Sequence, residues 1–335
     1  MRICVFGAGA IGGNFATRLA AAGNDVSAVV RGAHLDAIRA DGLTMLSGDR
    51  KVTAKVKASD KPADLGPQDA VLVTLKSSGQ HVLPEAITPL LRDDTMVVFV
   101  QNGIPWWYGD GLSGRPKAPD LSRLDPGAAI RRAVGLLRTI GAVVTSSNQV
   151  VAPGVIRNIS PDRNVLWVAE IDDRQSPRVL ELRKTLIAAG IASPATTDIR
   201  YDIWNKLMSS LSGGAVTLIL REKEPVLGSP IVNPLARRAH SEALTVAAAH
   251  GVMLDDSPEI RYGPTRVYPD HHVSILQDYE LGRPMEVESI VRAPLAFARS
   301  AGLATPTLDV IEAICVQLAA SKGLYTHHDR PGELN

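Results

Sequence analysis

Short apolar runs alternate with helical patterns over roughly the first two-thirds of the chain. Four runs are apolar at nearly every position, as is typical of strands buried on both faces of a parallel sheet; they cover residues 2–6, 25–30, 70–74 and 96–100. Between the first two runs, residues 11–22 are good helix formers and stop at Gly23. This order of strand, helix and strand predicts a doubly wound α/β domain with right-handed crossovers.

The pattern changes after Val134. Strand-like runs at residues 142–147, 154–159 and 165–170 follow one another without an intervening helix, and turn signals at Pro153-Gly154 and Pro161-Asp162 separate them. These runs predict an antiparallel extension of the sheet. Ser176-Pro177 then begins a helix that is expected to run through Ala189.

Only helix-length patterns follow from Asp198 onward, at residues 199–211, 234–250, 273–279, 286–301 and 306–321. The change predicts an α/β domain over residues 1–195, an all-helical domain over 196–325 and a polar tail over 326–335. Residues 109–127 replace any periodic pattern with Gly, Pro and charged residues. That segment is interpreted as a long surface loop or lid.

Composition narrows the class of protein. The 335 residues carry 36 Lys+Arg against 35 Asp+Glu, a formal net charge of +1, so the charge balance gives no reason to expect a nucleic-acid partner. No apolar stretch is long enough for a membrane-spanning helix. Cys4 and Cys315 fit neither a disulfide framework nor a zinc site. A cytoplasmic enzyme is the expectation, and among oligomeric states a homodimer is the candidate.

Two local clusters stand out because their residue types are scarce. Trp106-Trp107-Tyr108 predicts either an apolar pocket wall or ordinary packing between domains or subunits. His271-His272 and His327-His328 raise the question of a metal site, but adjacent histidines on a helix point in different directions and no paired carboxylates accompany them. The histidines are interpreted as solvated surface residues.

The strongest chemical signal lies at the first strand-to-helix turn. Gly7-Ala8-Gly9-Ala10-Ile11-Gly12 follows the first predicted strand and opens the first predicted helix, which is the context of a dinucleotide-binding turn. Gly7 allows a tight turn, Gly9 allows a pyrophosphate to approach the backbone, and Gly12 allows close packing of helix on strand. The free N–H groups of the helix N-terminus add donors and partial positive charge. We therefore expect all six residues to contact a dinucleotide cofactor.

The end of the second strand indicates which dinucleotide. An NAD site usually carries an acidic residue there, whereas this chain has Arg31, whose planar guanidinium suits a 2′-phosphate. NADP(H) is the predicted cofactor. The alternative is that Arg31 is a solvated strand-end cation and that Asp36 reaches the ribose.

Five motifs, taken in order, resemble the ketopantoate reductase (2-dehydropantoate 2-reductase) family over residues 1 to about 321. Singly each motif is weak, but their order is specific. The motifs are Gly7-Ala8-Gly9-Ala10-Ile11-Gly12-Gly13, Thr74-Leu75-Lys76, Gln101-Asn102-Gly103, Trp204-Asn205-Lys206-Leu207, and Ser274-Ile275-Leu276-Gln277-Asp278 followed by Glu286-Val287-Glu288.

The resemblance implies a Rossmann-type N-terminal domain, a helical C-terminal domain and NADPH-dependent reduction of a 2-oxo acid at a site between them. Its small-molecule substrate would be 2-dehydropantoate, the product pantoate, and the pathway pantothenate biosynthesis. A ketone that accepts hydride develops negative charge on oxygen, so the site needs an acid aimed at that oxygen. Lys206 matches the proton donor of the family. Without the resemblance, Lys206 would be interpreted as a surface lysine.

The resemblance also implies further contacts. It places Lys76, Asn102, Ala152 and Glu286 at the cofactor, and Asn102, Lys206, Ser210 and Ser274 at the substrate. Alternatives without a functional role also remain, and for Lys76 the alternative is a solvated lysine at the end of a strand. Asn102-Gly103 is also a typical turn dipeptide, Glu286 could stabilise the first turn of a helix, and Ser274 could bond a local backbone group.

The chain departs from the family on one helical face. Four and eight residues after Lys206, where the ketopantoate-handling enzymes carry asparagines, this chain has Ser210 and Gly214. Loss of two amides removes hydrogen bonds that could select a substrate hydroxyl and leaves extra volume. One alternative is therefore a reductase of the same family that acts on a bulkier 2-oxo acid. An alternative of another class is a non-catalytic NADP(H)-binding sensor.

Overall fold

The computed structural model describes residues 1–268 and 270–326. It divides into two compact units, one made of Met1–Gln101 with Asp125–Asp202, the other of Asn102–Leu124 with the chain from Ile203 onward. The division thus falls a few residues beyond the predicted boundary at 195. Most of the predicted loop at 109–127 belongs to the second unit. His327-His328 and all but Thr326 of the predicted tail lie outside the described residues.

The described strands all lie in the first unit. They are β1 (Arg2–Phe6), β2 (Asp25–Val29), β3 (Leu43–Ser47), β4 (Arg50–Ala54), β5 (Lys57–Ser59), β6 (Ala70–Val73), β7 (Met96–Gln101), β8 (Thr139–Thr145), β9 (Asn148–Ala152), β10 (Val155–Asn158) and β11 (Val165–Glu170). Seven of them form one sheet in the order β11-β8-β7-β6-β1-β2-β5. Every pair in it is parallel except β11 with β8, which is the predicted antiparallel extension. The predicted fold class is confirmed.

The remaining four strands form a separate sheet in the order β4-β3-β10-β9. Because β10 pairs parallel with β3 and antiparallel with β9, the prediction that residues 154–159 extend the main sheet is wrong. The physical reason is packing on the first helix, since a Cβ on Gly13 would lie 2.6 Å from Ile156 Cγ1. The small sheet covers this helix and leaves no room there for a side chain.

The helices are α1 (Ala10–Ala21), α2 (Ala33–Asp41), α3 (Leu83–Ala86), α4 (Ala129–Val134), α5 (Pro177–Ala188), α6 (Ile199–Met208), α7 (Ala215–Leu220), α8 (Asn233–Ala249), α9 (Pro258–Tyr262), α10 (Ser274–Glu280), α11 (Ala293–Ser300) and α12 (Pro306–Ser321). In the first unit, the core contains fully buried aliphatic residues of the parallel strands together with Phe15 and Leu19 of α1. The start of α5 follows the predicted signal, because the Ser176 hydroxyl accepts a hydrogen bond from Val179 N.

The second unit is all-helical in its described residues. Two of its helices contain π turns: Ser209–Gly214 separates α6 from α7, and Glu288–Arg292 precedes α11. In the first of these, Ala215 N–H donates to Ser210 O, five residues back. The predicted helix at 199–211 therefore ends as an α-helix at Met208.

The aromatic triplet packs inside the second unit. Trp107 and Tyr108 are fully buried, Tyr108 meets Phe297 edge-to-face at 5.0 Å, and Trp204 Nε1 donates to the Tyr108 hydroxyl at 2.7 Å. The sequence suggests a pocket wall or packing between domains or subunits, whereas these contacts place Tyr108 in the interior of a single unit. Among the described helices, none is long and apolar enough to cross a bilayer.

Candidate active site

The glycine turn has the geometry that its sequence predicts. Gly7 has φ of 98°, which favours glycine. A Cβ on Gly12 would lie 2.3 Å from Thr74 Oγ1 and 2.4 Å from Gly7 O, so helix and strand approach too closely for any side chain. A Cβ on Gly9, by contrast, would meet no atom within 4 Å. The backbone at Gly9, which is the N-cap of α1, is therefore open to a ligand.

The motif that contains Lys76 adjoins this turn. Thr74 Oγ1 donates to Gly7 O at 2.6 Å, and the Leu75 side chain lies against Gly7. Half-buried Lys76 follows at the carboxyl end of β6, beside β1. In open α/β sheets this edge is where ligands bind.

A histidine that sequence analysis missed joins the glycine turn to the turn after β9. His34 Nε2 lies 2.8 Å from Ala8 O, and Gly154 N–H donates to His34 Nδ1 at 2.8 Å. Since Nδ1 accepts, the proton of a neutral ring is on Nε2, which donates to Ala8 O. The imidazole thus joins the glycine turn to the turn that directly follows exposed Ala152, the last residue of β9.

Arg31 is exposed just beyond β2, on the strand next to β1. Its guanidinium makes no hydrogen bond or ion pair within the described part of the chain, so its donors are available to an anion. Asp36 is also exposed and lies in the first turn of α2. Both residues follow the end of β2 along the chain, and the structure leaves the Asp36 alternative open.

Lys206 occupies the boundary between core and surface in the second unit. On α6, Trp204 and Leu207 are buried, Asn205 is exposed and Lys206 is half-buried. The hydrophobic side of the helix therefore faces the core while Lys206 lies at its edge.

The π turn after α6 changes where the two residues that depart from the family, Ser210 and Gly214, lie around the helix axis relative to Lys206. One π turn takes up one residue more than an α turn. Gly214 therefore stands about where the seventh residue after Lys206 would be in a regular helix, two turns along and on nearly the same face. Gly214 is buried, with φ −61° and ψ −41°, and a Cβ there would meet only Ser209 O at 3.6 Å. Half-buried Ser210 precedes it on this segment.

The other predicted residues of the second unit lie on elements that pack around this segment. The π turn Glu288–Arg292 and helix α10 both pack against Ser209–Gly214. Glu286 is buried just before the second π turn. Ser274 is exposed at the first residue of α10 and makes no side-chain hydrogen bond to another described residue, so the local-backbone alternative for it has no support.

Asn102 is half-buried, and Gly103, the residue after it, has the backbone conformation that makes the chain turn there. Gly103 has φ of 76°, and a Cβ there would lie 2.3 Å from Ser289 O. Ile104 N–H also donates to Ser289 O at 2.8 Å. The Asn-Gly turn is real, and it brings Asn102 to the segment that follows Glu286.

The paired histidines have carboxylate neighbours. His272 Nε2 lies 2.9 Å from Glu280 Oε2, and His271 Nδ1 lies 3.6 Å from Glu224 Oε2. In the described parts of the chain, no group of three or more His, Cys, Asp and Glu side chains is arranged to hold a metal ion.

Comparison with known proteins covers both units. Sequence models of ketopantoate reductase PanE/ApbA match residues 3–105, and of its C-terminal part residues 198–318. A 2-dehydropantoate 2-reductase of Mesorhizobium japonicum is 38% identical over 97% of this chain and 100% of its own length. A crystal structure from Ralstonia solanacearum has a TM-score of 0.88 at 31% identity, covering 97% of this chain and 99% of that one.

A 2-dehydropantoate 2-reductase structure from Geobacter metallireducens has a TM-score of 0.81 at 25% identity and covers 95% of this chain and 99% of that one. The matches extend over both units and over nearly the full length of the relatives. They confirm the family, the fold class and the enzyme class predicted from the five motifs. The chain therefore belongs to the ketopantoate reductase family of NADPH-dependent oxidoreductases.

Proposed function

We propose that this protein reduces 2-dehydropantoate to pantoate with NADPH, and that Lys206 is the proton donor. The observation that carries the proposal is the packing in the second unit: helix α10, which begins at Ser274, and the π turn Glu288–Arg292, which begins two residues after Glu286, both pack on the π turn directly after the Lys206 helix. A 2-dehydropantoate 2-reductase that is 38% identical in sequence aligns over 97% of this chain and its own full length, and this match supports the choice of substrate.

Two observations in the first unit support NADPH as the bound cofactor. The backbone at Gly9 is open on the side where a pyrophosphate would lie, and the Arg31 guanidinium has no partner among the described residues. Bound NADPH supplies the hydride. In the proposal, residues Gly7, Ala8, Gly9, Ala10, Ile11 and Gly12 hold the pyrophosphate and Arg31 pairs with the 2′-phosphate. Lys76 contacts the cofactor from the carboxyl edge of the seven-stranded sheet, and Ala152 from the end of β9 in the smaller sheet.

The second unit supplies the groups that handle the ketone. As hydride reaches the carbonyl carbon, negative charge grows on the oxygen, and the Lys206 ammonium stabilises that charge and then gives up a proton to it. Glu286 orients Lys206 and accepts a hydrogen bond from the cofactor amide. Asn102 offers both a donor and an acceptor, and Ser274 donates to the substrate. The predicted NADP-binding domain thus corresponds to the first unit, and the predicted substrate domain to the second unit, which also includes residues 102–124.

The decisive experiment replaces Lys206. Lys206→Ala should lower kcat by about a thousandfold while the Kd for NADPH stays within about twofold, because the lysine acts in the transition state. Turnover is followed as loss of NADPH absorbance, and the Kd is measured by NADPH fluorescence. Lys223→Ala is the matched control, since Lys223 pairs with Asp270 on the surface of the same unit. Unchanged turnover in Lys206→Ala would refute the proton-donor role.

A second candidate function keeps the chemistry and changes the substrate to a bulkier 2-oxo acid. It is favoured by Ser210 and by Gly214, whose helical backbone does not need glycine and whose Cβ position is open. A panel of 2-oxo acids distinguishes the two functions. If the second holds, Ser210→Asn/Gly214→Asn should raise kcat/KM for 2-dehydropantoate and lower it for the bulkier acid.

Three further expectations from the sequence remain predictions: the sensor alternative, the cytoplasmic location and the homodimer. Binding of NADPH without turnover of any 2-oxo acid would favour the sensor alternative instead. Cys4 and Cys315 are free and buried, which fits the reducing cytoplasm. The homodimer remains a prediction, to be tested by sedimentation of the purified protein.

A further inference from the structure

Helix α9, which no motif marks, contacts the π turn that follows Lys206. Its last two residues reach that turn at different points. Arg261 Nη1 donates to Ser209 Oγ at 2.6 Å, where the π turn begins. The Tyr262 hydroxyl lies 2.6 Å from Ser212 Oγ, in the middle of the turn.

The fit between Tyr262 and the π turn is close. A Cβ on Gly213 would lie 2.9 Å from the Tyr262 hydroxyl, so glycine at this position allows the contact. Ser212 Oγ also donates to Met208 O at 2.5 Å. The turn is thus fixed both to the preceding helix and to α9.

Arg261 also reaches back along α6. Its Nη2 donates to Asn205 Oδ1 at 3.2 Å, so one guanidinium joins Asn205 to Ser209, one helical turn apart. Ser209 is three residues after Lys206, so the row of the helix that Arg261 holds lies next to the lysine on the helix surface. A planar guanidinium that holds two acceptors restricts rotation of the helix about its axis.

A buried carboxylate holds the guanidinium in place. Asp256 Oδ2 accepts from Arg261 Nε at 2.9 Å and also from Nη2, and the Asp256 side chain is only 4% exposed. His240 of α8 approaches the same carboxylate oxygen, with Nε2 3.4 Å from Oδ2. Burial lowers the pKa of His240 to about 4, so the ring is neutral at pH 7 and leaves Arg261 as the cation that balances Asp256.

We propose that Arg261 is a positioning residue for Lys206: it sets the rotation of the helix that presents the proton donor. Its four hydrogen bonds to Asp256, Asn205 and Ser209 occupy most of its five donors, which suits a fixed support rather than a substrate ligand. The inference rests on the proposed function of Lys206.

The test removes the acceptors on the catalytic helix and leaves the buried Asp256–Arg261 pair intact. Asn205→Ala/Ser209→Ala should lower kcat about tenfold, with little change in the KM for NADPH, because the proton donor is displaced while the cofactor contacts remain. Ser209→Thr keeps the hydroxyl and should keep kcat. Unchanged kcat in the double variant would overturn the proposal.

A matched control separates positioning from general weakening of α9. Arg237 binds the same helix through Glu259 and the carbonyls of Pro258 and Tyr262, and its hydrogen bonds do not reach α6. Arg237→Ala should leave kcat unchanged. An equal loss of kcat in this control would assign the effect to α9 as a whole and overturn the role of Arg261.

A double-mutant cycle gives a readout that a purely structural role would not move. If Arg261 acts through Lys206, Asn205→Ala/Ser209→Ala should change the residual turnover of Lys206→Ala by less than about twofold. A tenfold loss in both backgrounds would overturn the inference. Should Lys206→Ala itself keep full turnover, the proposed function fails first, and that outcome is distinct from failure of the Arg261 role alone.

Discussion

A single imidazole holds two turns of the first unit together, which makes His34 an efficient place to disturb cofactor binding. His34→Ala removes both hydrogen bonds, to Ala8 O and from Gly154 N–H. We expect the Kd for NADPH to rise about ten- to thirtyfold while kcat at saturating NADPH is kept, since the two lost bonds contribute roughly 1 kcal/mol each. Fluorescence titration with NADPH measures the Kd.

His81→Ala is the control for that measurement. His81 is exposed, and its only described hydrogen bond joins it to Ser78 O, three residues away. An equal rise of the Kd in both variants would show that the effect is not specific to the bridge between the turns.

Asp202, in the first turn of α6, makes stability depend on pH. Burial raises the pKa of its carboxyl from 3.8 to about 6, with further contributions from the nearby carboxylates of Asp198 and Asp173. Because the folded-state pKa lies above the unfolded-state value, the carboxyl favours folding most below about pH 4, and this contribution is lost as the pH rises through about 6.

Asp202→Asn removes the titration. The variant should be more stable than the native protein at pH 7.5, by about 1 kcal/mol after allowance for solvent screening, with the difference shrinking toward pH 4. Thermal unfolding across this range measures it. A stability difference that does not change with pH would contradict the assignment.

Residues such as His34 and Arg261 could not be found from the sequence. His34 bonds Gly154 across 120 positions, and Arg261 bonds Ser209 across 52. Neither residue belongs to a motif, and periodicity informs only about neighbours on one element. The glycine turn was predictable because its six residues act together within one local strand-to-helix context.

Among the elements, the start of α1 has two glycines with opposite requirements, Gly9 at the N-cap and Gly12 in the first turn of the helix. Gly9→Ala should leave the fold and its Tm nearly unchanged, because the Cβ meets nothing within 4 Å, yet it should weaken NADPH binding by filling the space for the pyrophosphate. Gly12→Ala should lower stability by about 2 kcal/mol or more, because its Cβ would collide with Gly7 O and Thr74 Oγ1.

Both variants are compared by thermal unfolding and by titration with NADPH. Tight NADPH binding by Gly9→Ala would remove the turn from the cofactor site. A Gly12→Ala protein as stable as the native one would show that strand and helix can separate at little cost.

Strands that form continuous apolar runs were predictable from the sequence, and short polar strands were not. The runs behind β1, β2, β6 and β7 are buried at nearly every position. By contrast, β4 reads Arg50-Lys51-Val52-Thr53-Ala54 with mostly exposed residues, and β5 has three residues. Such edge strands are stabilised by pairing with distant partners, which local sequence does not reveal.

At the scale of the whole molecule, cofactor choice should appear as a difference in thermal stability. A ligand that binds only the folded state stabilises it in proportion to the logarithm of its concentration over its Kd. NADPH should therefore raise the Tm more than NADH does, because only NADPH carries the 2′-phosphate, for which we propose Arg31 as the partner.

Arg31→Ala should make the two shifts equal, whereas Arg50→Ala, at an exposed position of β4, should not. The measurement is a pair of melting curves for each variant at equal cofactor concentration. A persistent advantage of NADPH in Arg31→Ala would assign the phosphate to another group.

The two-unit organisation could be predicted in outline but not in detail. The change from strand patterns to helical patterns marks the C-terminal unit, because periodicity differs between them. Residues 102–124 belong to that unit although they lie between β7 and β8 in sequence. Nothing in their irregular composition indicates this, since their place depends on partners such as Trp204 and Phe297.

This interleaving has a consequence for the newborn chain. Tyr108 leaves the ribosome 96 residues before Trp204, its hydrogen-bond partner, and longer still before Phe297. By then the strands of the first unit, up to β11, have all been made. During synthesis, Trp107 and Tyr108 therefore wait in a loop without the partners that bury them in the finished protein. Exposed aromatic side chains of this kind promote aggregation and are bound by chaperones, so we expect this loop to be the first site of either event.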